Sequence, residues 1–357
     1  MPKTSHQVAY VRGGPEDETG PEMADAAMAV LGAVLEAYPN LKIEFVPINA
    51  GSHCFKDHGT VVPDASLKQI LDIGVVFKAP TASAKTATSM PVSLKLRKEL
   101  RTYANVNELR SYPGVPTALR PDIDVLLIRD NSEGLFAMQT GYPNPDMTVD
   151  MRFITRQASA RIARMGFEYA RERRRKLCVC AFPVAVNSDQ MFIAASNEVA
   201  REYPDVEYSV RKVDAFAGTV IANPAQYDVV IAPTEWGSIM TDLFAQACGS
   251  VGLAARGNLG DTTGYFEPIH GTAPGKTGKG TVNPISQIMA GKIMLDWLGK
   301  TRKDATAAEA GATLQRAVSN VLTKGAVRTV DLGGTSKTID MVNAVIDEVQ
   351  RLAAAPR

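Results

Sequence analysis

No run of about 18 apolar residues occurs anywhere in the chain, so nothing in it is long enough to span a bilayer as a helix. The opening stretch, Met1 to Val8, lacks the charged-then-apolar form of a secretory signal, and a cytoplasmic location is the resulting expectation. Only four cysteines are spread over 357 residues, too few for a disulfide framework. Cys178 and Cys180 alternate on an expected strand, face opposite sides and cannot chelate one metal together. A net charge of +1 with mixed signs along the chain leaves no electrostatic footprint for nucleic acid or an anionic membrane. The densest basic run, Arg171 to Lys176, reads as cations at the end of a helix, where they complement its dipole. No fixed-period repeat or low-complexity tract is visible, and neither G-x-G-x-x-G nor the phosphate-binding G-x-x-x-x-G-K-[ST] occurs.

What is present is an α/β pattern. Short apolar runs rich in branched residues recur at Val8–Val11, Ile43–Ile48, Val75–Phe77, Val125–Ile128, Leu177–Phe182 and Val229–Ala232, alternating with helical periodicity. At 357 residues the chain exceeds one ordinary core, which favours two domains or one large one. Ile154, Ala158, Ile162, Met165 and Tyr169 recur at three- and four-residue spacing as one apolar helix stripe. A strand is expected to end in a turn at Pro233–Gly237, with a helix from Ser238 to Cys248. From Gly249 to Gly280 the chain is dense in glycine and reads as loops whose backbone can approach a ligand. A final amphipathic helix runs through Val342, Val345 and Val349.

An ordered series of short motifs carries more information than any one of them. It runs through Thr19-Gly20-Pro21-Glu22, His58-Gly59-Thr60 with Pro63, Leu96-Arg97-Lys98-Glu99-Leu100 into Tyr103-Ala104-Asn105-Val106, and Ile128-Arg129-Asp130-Asn131-Ser132-Glu133-Gly134. It continues with Arg161-Ile162-Ala163-Arg164 and Phe167-Glu168-Tyr169-Ala170, Phe266-Glu267-Pro268-Ile269-His270-Gly271-Thr272-Ala273-Pro274, Asn283-Pro284 and Arg328-Thr329-Val330-Asp331-Leu332-Gly333-Gly334-Thr335. Over nearly the whole chain this series resembles the isocitrate and isopropylmalate dehydrogenases, the β-decarboxylating dehydrogenases, and its last segment looks most like their NAD-dependent isocitrate branch.

The resemblance implies two α/β domains with a central cleft. A discontinuous large domain would comprise 1–104 and 252–357, and a small domain 105–251 would carry a dimer interface. It also implies a dinucleotide site made by Glu267, His270, Gly271, Thr272, Ala273, Pro274, Asn283 and Asp331. After this proline, NAD-dependent members usually carry an aspartate for the ribose hydroxyl and NADP-dependent ones a lysine for the phosphate. Here Gly275 and Lys276 follow, so both coenzymes stay open, with the Asp331 segment favouring NAD. Arg97 and Arg129 match arginines that clamp substrate carboxylates, while a third such position is Asn107, which argues against a trianionic substrate.

The family reaction uses a divalent cation, a lysine and a tyrosine. The tyrosine position holds Phe136; the lysine and asparagine positions hold Ala181 and Pro183, or Phe182 and Val184 in a register one residue on. No lysine occurs between Lys176 and Lys212 in any register. Asp214 and Asp242 match metal aspartates, but the position between them is Ser238, so the site is incomplete and Mg2+ or Mn2+ is doubtful.

Three readings follow. The first is an NAD(P)-linked oxidoreductase with altered chemistry on a small anionic carboxylate, with Glu133, Lys95, Lys98, His53 or Glu235 in new roles. The second is a non-catalytic subunit, either a ligand-binding homodimer or a hetero-oligomer with an active homologue. The third is a conventional metal-dependent dehydrogenase.

Overall fold

A computed structural model describes residues 4–82, 90–137, 139–140 and 146–354. The chain folds into two compact units. One comprises Met1–Leu100, Tyr112–Ala118 and Gly249–Arg357, the other Arg101–Ser111 and Leu119–Cys248. Compared with the expected 1–104 and 252–357, the first unit gains the excursion at 112–118, because Tyr112 is buried there and its hydroxyl receives Gln315 Nε2 at 3.5 Å.

In chain order the first unit begins with β1 (Thr4–Val11), α1 (Gly20–Ala37), β2 (Leu41–Pro47), α2 (Cys54–His58), α3 (Asp64–Ile73), β3 (Val75–Lys78) and α4 (Val92–Glu99). The second unit then contributes β4 (Ala104–Arg110), β5 (Asp124–Asp130), the hairpin β6 (Gln139–Thr140) and β7 (Asp150–Met151), α5 (Arg156–Arg171), β8 (Lys176–Ala181), α6 (Asn187–Ala200), β9 (Glu207–Lys212), α7 (Val213–Ala222), β10 (Val229–Ala232) and α8 (Thr234–Ala247). The chain returns to the first unit for β11 (Ala255–Leu259), β12 (Gly264–Pro268), α9 (Ile285–Thr301), α10 (Ala305–Lys324) and α11 (Thr338–Ala353).

Strands of the first unit lie in the order β2-β1-β3-β12-β11, parallel except for the β11–β12 hairpin. Those of the second lie in the order β4-β5-β10-β8-β9, parallel except for β4–β5. Parallel strands are covered on both faces and so read as unbroken apolar runs. Every residue of β3 and of β10 is buried. Val76 and Tyr265 pack with Val92 and Leu96 in the first core, and Val342, Val345 and Val349 of α11 are buried as the spacing predicts.

Three expectations need correction. The helix expected from Ser238 begins at Thr234, because Pro233 can stand ahead of a first turn and Gly237 lies against Arg129, whose Cβ would be 2.4 Å from an added methyl. The stripe on α5 is displaced by one position: Ala158, Ile162, Gly166, Phe167 and Ala170 are buried, while Met165 and Tyr169 are half-buried. The glycine-dense stretch is not all loop, since Ala255–Leu259 pairs antiparallel with Gly264–Pro268. There the short apolar residues between the glycines, Leu259, Tyr265 and Phe266, are buried.

The basic run does more than end α5. Arg173 Nε donates to the buried Asp228 at 2.7 Å, and Arg171 pairs with Asp205 at 2.7 Å. The four cysteines are reduced and buried; burial pushes the Cys178 thiol up to about 11 and that of Cys248 to about 12, so neither is a nucleophile at neutral pH. Among the described residues no helix is long and apolar enough to cross a membrane.

Gly166 tests the α5 contact. A methyl there would lie 2.5 Å from Ile231 Cγ2 and 2.8 Å from Leu177 Cδ1. Overpacking of this kind costs about 1–3 kcal/mol, against about 1 kcal/mol gained in helix propensity. Gly166→Ala is therefore expected to lower the urea midpoint, by a net destabilisation of up to about 2 kcal/mol. A raised midpoint, the result of helix propensity acting alone, would show that α5 does not rest on these strands through this residue.

Candidate nucleotide-binding site

β1, β3 and β12 run in one direction, so the loops at their carboxyl ends, 12–19, 79–82 and 269–284, gather at one edge of the first unit. Ligands of parallel sheets bind at such edges. The loops are tied together by side chains. Asp17, fully buried, accepts from Gly14 N at 2.8 Å, Ser52 N at 3.1 Å, Ser52 Oγ at 2.8 Å and Ala82 N at 2.9 Å. Thr19 Oγ1 donates to the Thr272 carbonyl at 2.6 Å.

The edge holds a pocket of about 350 Å3 lined by Ser250, Val251, Gly252, His270, Gly271, Thr272, Ala273, Pro274, Lys276, Val282, Asn283 and Asp331. All the residues expected to hold a dinucleotide line it except Glu267, which faces elsewhere. Asp331 shapes the wall: Oδ2 accepts from Ser250 Oγ at 2.5 Å and Asn283 Nδ2 at 3.0 Å, and Oδ1 from Thr329 Oγ1 at 2.5 Å.

Two observations fit a nucleotide. His270 Nδ1 lies 2.8 Å from the Gly271 carbonyl and must donate to it, which leaves Nε2 an acceptor; that atom is buried and, among the described residues, has no hydrogen-bond partner. Burial lowers the pKa of this imidazole, keeping it neutral and Nε2 suited to an exocyclic amine. Gly271 and Gly275 have no atom within 4 Å of a would-be Cβ and neither has positive φ, so the fold itself does not demand glycine at either. An approaching ligand would.

Next to the pocket along β12 stands an ionic cluster that reading the sequence missed. Glu267, buried, takes Arg97 Nη2 at 3.1 Å on Oε1 and Lys78 Nζ at 3.4 Å and Ser93 Oγ at 2.9 Å on Oε2, with Arg256 Nε 3.6 Å from Oε1. Burial alone would raise the Glu267 carboxyl, but Lys78, Arg256 and Arg97 outweigh it and hold the group ionised, well below the usual carboxylate range. Burial lowers the Lys78 ammonium from its ordinary value, with Glu267 opposing the shift. The one signal in the sequence was a lysine closing the otherwise apolar strand Val75-Val76-Phe77. Arg97, expected to clamp substrate, thus meets a carboxylate of its own chain.

In the second unit Arg129 is buried, donating from Nε to Asn105 Oδ1 at 3.3 Å and from Nη1 to Thr234 Oγ1 at 3.0 Å. Its guanidinium lies 5.6 Å from the ring centroid of Phe136, which is 42% exposed. Ala181, fully buried, closes β8, and the register of the parallel pair sets Lys212 beside it. No reading of β8 alone could show that neighbour. Asp214 on α7 and Asp242 on α8 are exposed and Ser238 is half-buried. Among the described residues of one chain, no three His, Cys, Asp or Glu side chains converge to hold a metal.

The polar groups read as available for new roles are mostly engaged. Glu133 accepts from Thr155 N at 2.7 Å, Lys95 Nζ donates to the Val62 carbonyl at 2.9 Å, and His53 Nε2 lies 2.8 Å from Asn49 Oδ1. Glu235 takes Arg152 Nη2 at 3.0 Å, and the same nitrogen reaches Asp189 at 2.6 Å. Lys98 is exposed.

Comparison with known proteins agrees with this geometry. The family model described as isocitrate/isopropylmalate dehydrogenase matches residues 10–345. A 3-isopropylmalate/3-methylmalate dehydrogenase of Methanocaldococcus jannaschii is 34% identical over 97% of this chain and 99% of its own. An isocitrate/homoisocitrate dehydrogenase of Thermus thermophilus is 34% identical over 98% and 100%. The crystal structure of isocitrate dehydrogenase from Methylococcus capsulatus superposes with a TM-score of 0.88 at 32% identity, covering 97% of this chain and 99% of that one.

Removing the shared carboxylate should be costly. Glu267→Gln leaves buried cations facing a neutral amide and is expected to destabilise by about 3–5 kcal/mol in denaturant unfolding. Because Glu267 titrates below an unfolded carboxylate, its contribution is full above about pH 4.3 and declines as pH falls towards its folded value. The gap between wild type and variant should therefore narrow on acidification; a gap that widens would contradict the assignment.

Proposed function

The chain belongs to the isocitrate/isopropylmalate dehydrogenase family, and from that premise we propose that it is an NAD(P)-binding oxidoreductase acting by altered chemistry on a small carboxylate. The observation that carries the nucleotide part is the pocket at the carboxyl edge of β12, with the unpartnered Nε2 of His270 on its wall. A bound nicotinamide would supply hydride transfer. The residues of the chain would bind, orient and move protons around it.

Phe136, Ala181 and Ser238 stand where the resemblance sets a tyrosine, a lysine and a metal aspartate, which supports altered chemistry. Lys78 is the group suited to carry a proton: it is buried, its pKa is lowered by that burial, and it stands on the same unit as the pocket. Arg97 and Lys78 meet at Glu267, so an anionic substrate would compete with that carboxylate for them. A divalent cation has Asp214, Asp242 and the Ser238 hydroxyl as its matching positions, and no step is assigned to it.

A second reading, a subunit that pairs with a copy of itself or with an active homologue, is supported by apolar exposure concentrated in the second unit. Phe136, Met147, Met151, Phe153 and Ile239 are 42%, 50%, 51%, 42% and 57% exposed. Such exposure is expected of a surface covered by a partner.

Calorimetric titration with NAD and NADP tests the nucleotide part, and binding of neither would end it. Lys276 lines the pocket, and if it meets a 2′-phosphate, Lys276→Ala should cost about 1.5–3 kcal/mol, or about 10- to 150-fold in the Kd for NADP. An NAD-binding protein should lose little. Turnover by the purified chain alone would exclude a purely non-catalytic subunit. Oxidation of isocitrate gained only in the triple variant Phe136→Tyr, Ala181→Lys, Ser238→Asp would show that those positions account for the change; an active wild type would show that they do not.

A further inference from the structure

Glu18 has a backbone that does not suit it. At φ 59 and ψ −110 it occupies a region that side-chain-bearing residues rarely enter, and glycine would sit there without strain. Glycine is not scarce in this stretch, since Gly13, Gly14 and Gly20 surround it. The conformation is imposed from both sides. Asp17 is pinned by donors from three loops, and Thr19, fully buried, is pinned to Thr272.

The Glu18 side chain shows what the conformation secures. Its Oε2 accepts from Thr272 Oγ1, while Thr19 N and Oγ1 donate to the Thr272 carbonyl at 3.4 Å and 2.6 Å. One turn therefore holds both the side chain and the backbone of a single pocket residue, 254 positions away in sequence. Among the described residues, the hydrogen bonds that reach Gly271–Lys276 from outside the 269–284 loop all meet Thr272. The following residue, Ala273, is itself left-handed at φ 47, so the loop takes a shape that does not form by default.

We propose that Glu18 is a positioning residue for the dinucleotide: with Thr19 it grips Thr272 and holds the pocket loop in its binding shape before the ligand arrives. This rests on the reading of the pocket as a nucleotide site. A loop that must be ordered on binding subtracts that ordering from affinity, and a loop ordered beforehand does not. Glu18 acts through Thr272 and needs no contact with the ligand. Strain at Glu18 is the stability given up for that order.

Glu18→Gly separates this role from a purely structural one, because it relieves the backbone while removing the grip. The expected result is a Tm unchanged or raised, amide exchange over Gly271–Lys276 about tenfold faster in the ligand-free protein, and a Kd for NAD or NADP about tenfold weaker. Glu18→Gln keeps an oxygen for Thr272 Oγ1 and should recover most of the affinity, whereas Thr272→Val should behave as Glu18→Gly does. Unchanged exchange in Glu18→Gly would overturn the proposal, as would faster exchange with an unchanged Kd. A lowered Tm with unaltered affinity would mark Glu18 as scaffold. Should the wild type bind neither dinucleotide, the nucleotide reading falls by itself, and exchange in the ligand-free protein still decides whether Glu18 holds the loop.

Discussion

Strand direction is the constraint on which the first unit depends. β1, β3 and β12 are parallel although β12 arrives more than 180 residues after β3, so three loops distant in sequence must leave the sheet at the same edge. Backbone groups crowded there have no ladder to satisfy them, and side chains take over. Asp17 does so for Gly14, Ser52 and Ala82, and Asp331 orders Ser250, Thr329 and Asn283. Of the two carboxylates only Asp331 stands on the pocket wall, where its partners Ser250 and Asn283 line the same space.

Charge in this protein is handled by local concentration rather than by net excess. At +1 overall the chain is nearly neutral, yet Lys78, Arg97 and Arg256 surround one buried carboxylate, and Arg152 sits between Asp189 and Glu235. A buried ionic group is a poor source of stability, because desolvation consumes much of what the pairing returns, but it is intolerant of a missing member. That intolerance gives these clusters a directional consequence. Glu267 stays ionised through the working pH range, while burial lowers the Lys78 ammonium from its ordinary value against the pull of Glu267.

Much of the architecture was legible because parallel strands and amphipathic helices write their burial into sequence spacing. The strand at Val229–Ala232 and the valines of α11 needed nothing more. Errors arose where spacing had more than one reading. Met165 and Tyr169 share a periodicity with the α5 stripe but are only half-buried, since Gly166 brings the helix down on Ile231 and Leu177. Thr234–Gly237 looked like a turn because a proline and a glycine bracket it, whereas proline ahead of a first turn and glycine against Arg129 are both compatible with helix.

The order of residues alone determined the family, the α/β class and the composition of the pocket loop from His270 to Pro274, because those are carried by local runs of side chains. Tertiary structure decided which charges meet. Lys78 finds Glu267 across 189 positions, Glu18 finds Thr272 across 254, and Lys212 comes to lie beside Ala181 through strand register. Protonation and strain depend on what surrounds a group in space, and no spacing along the chain records that field.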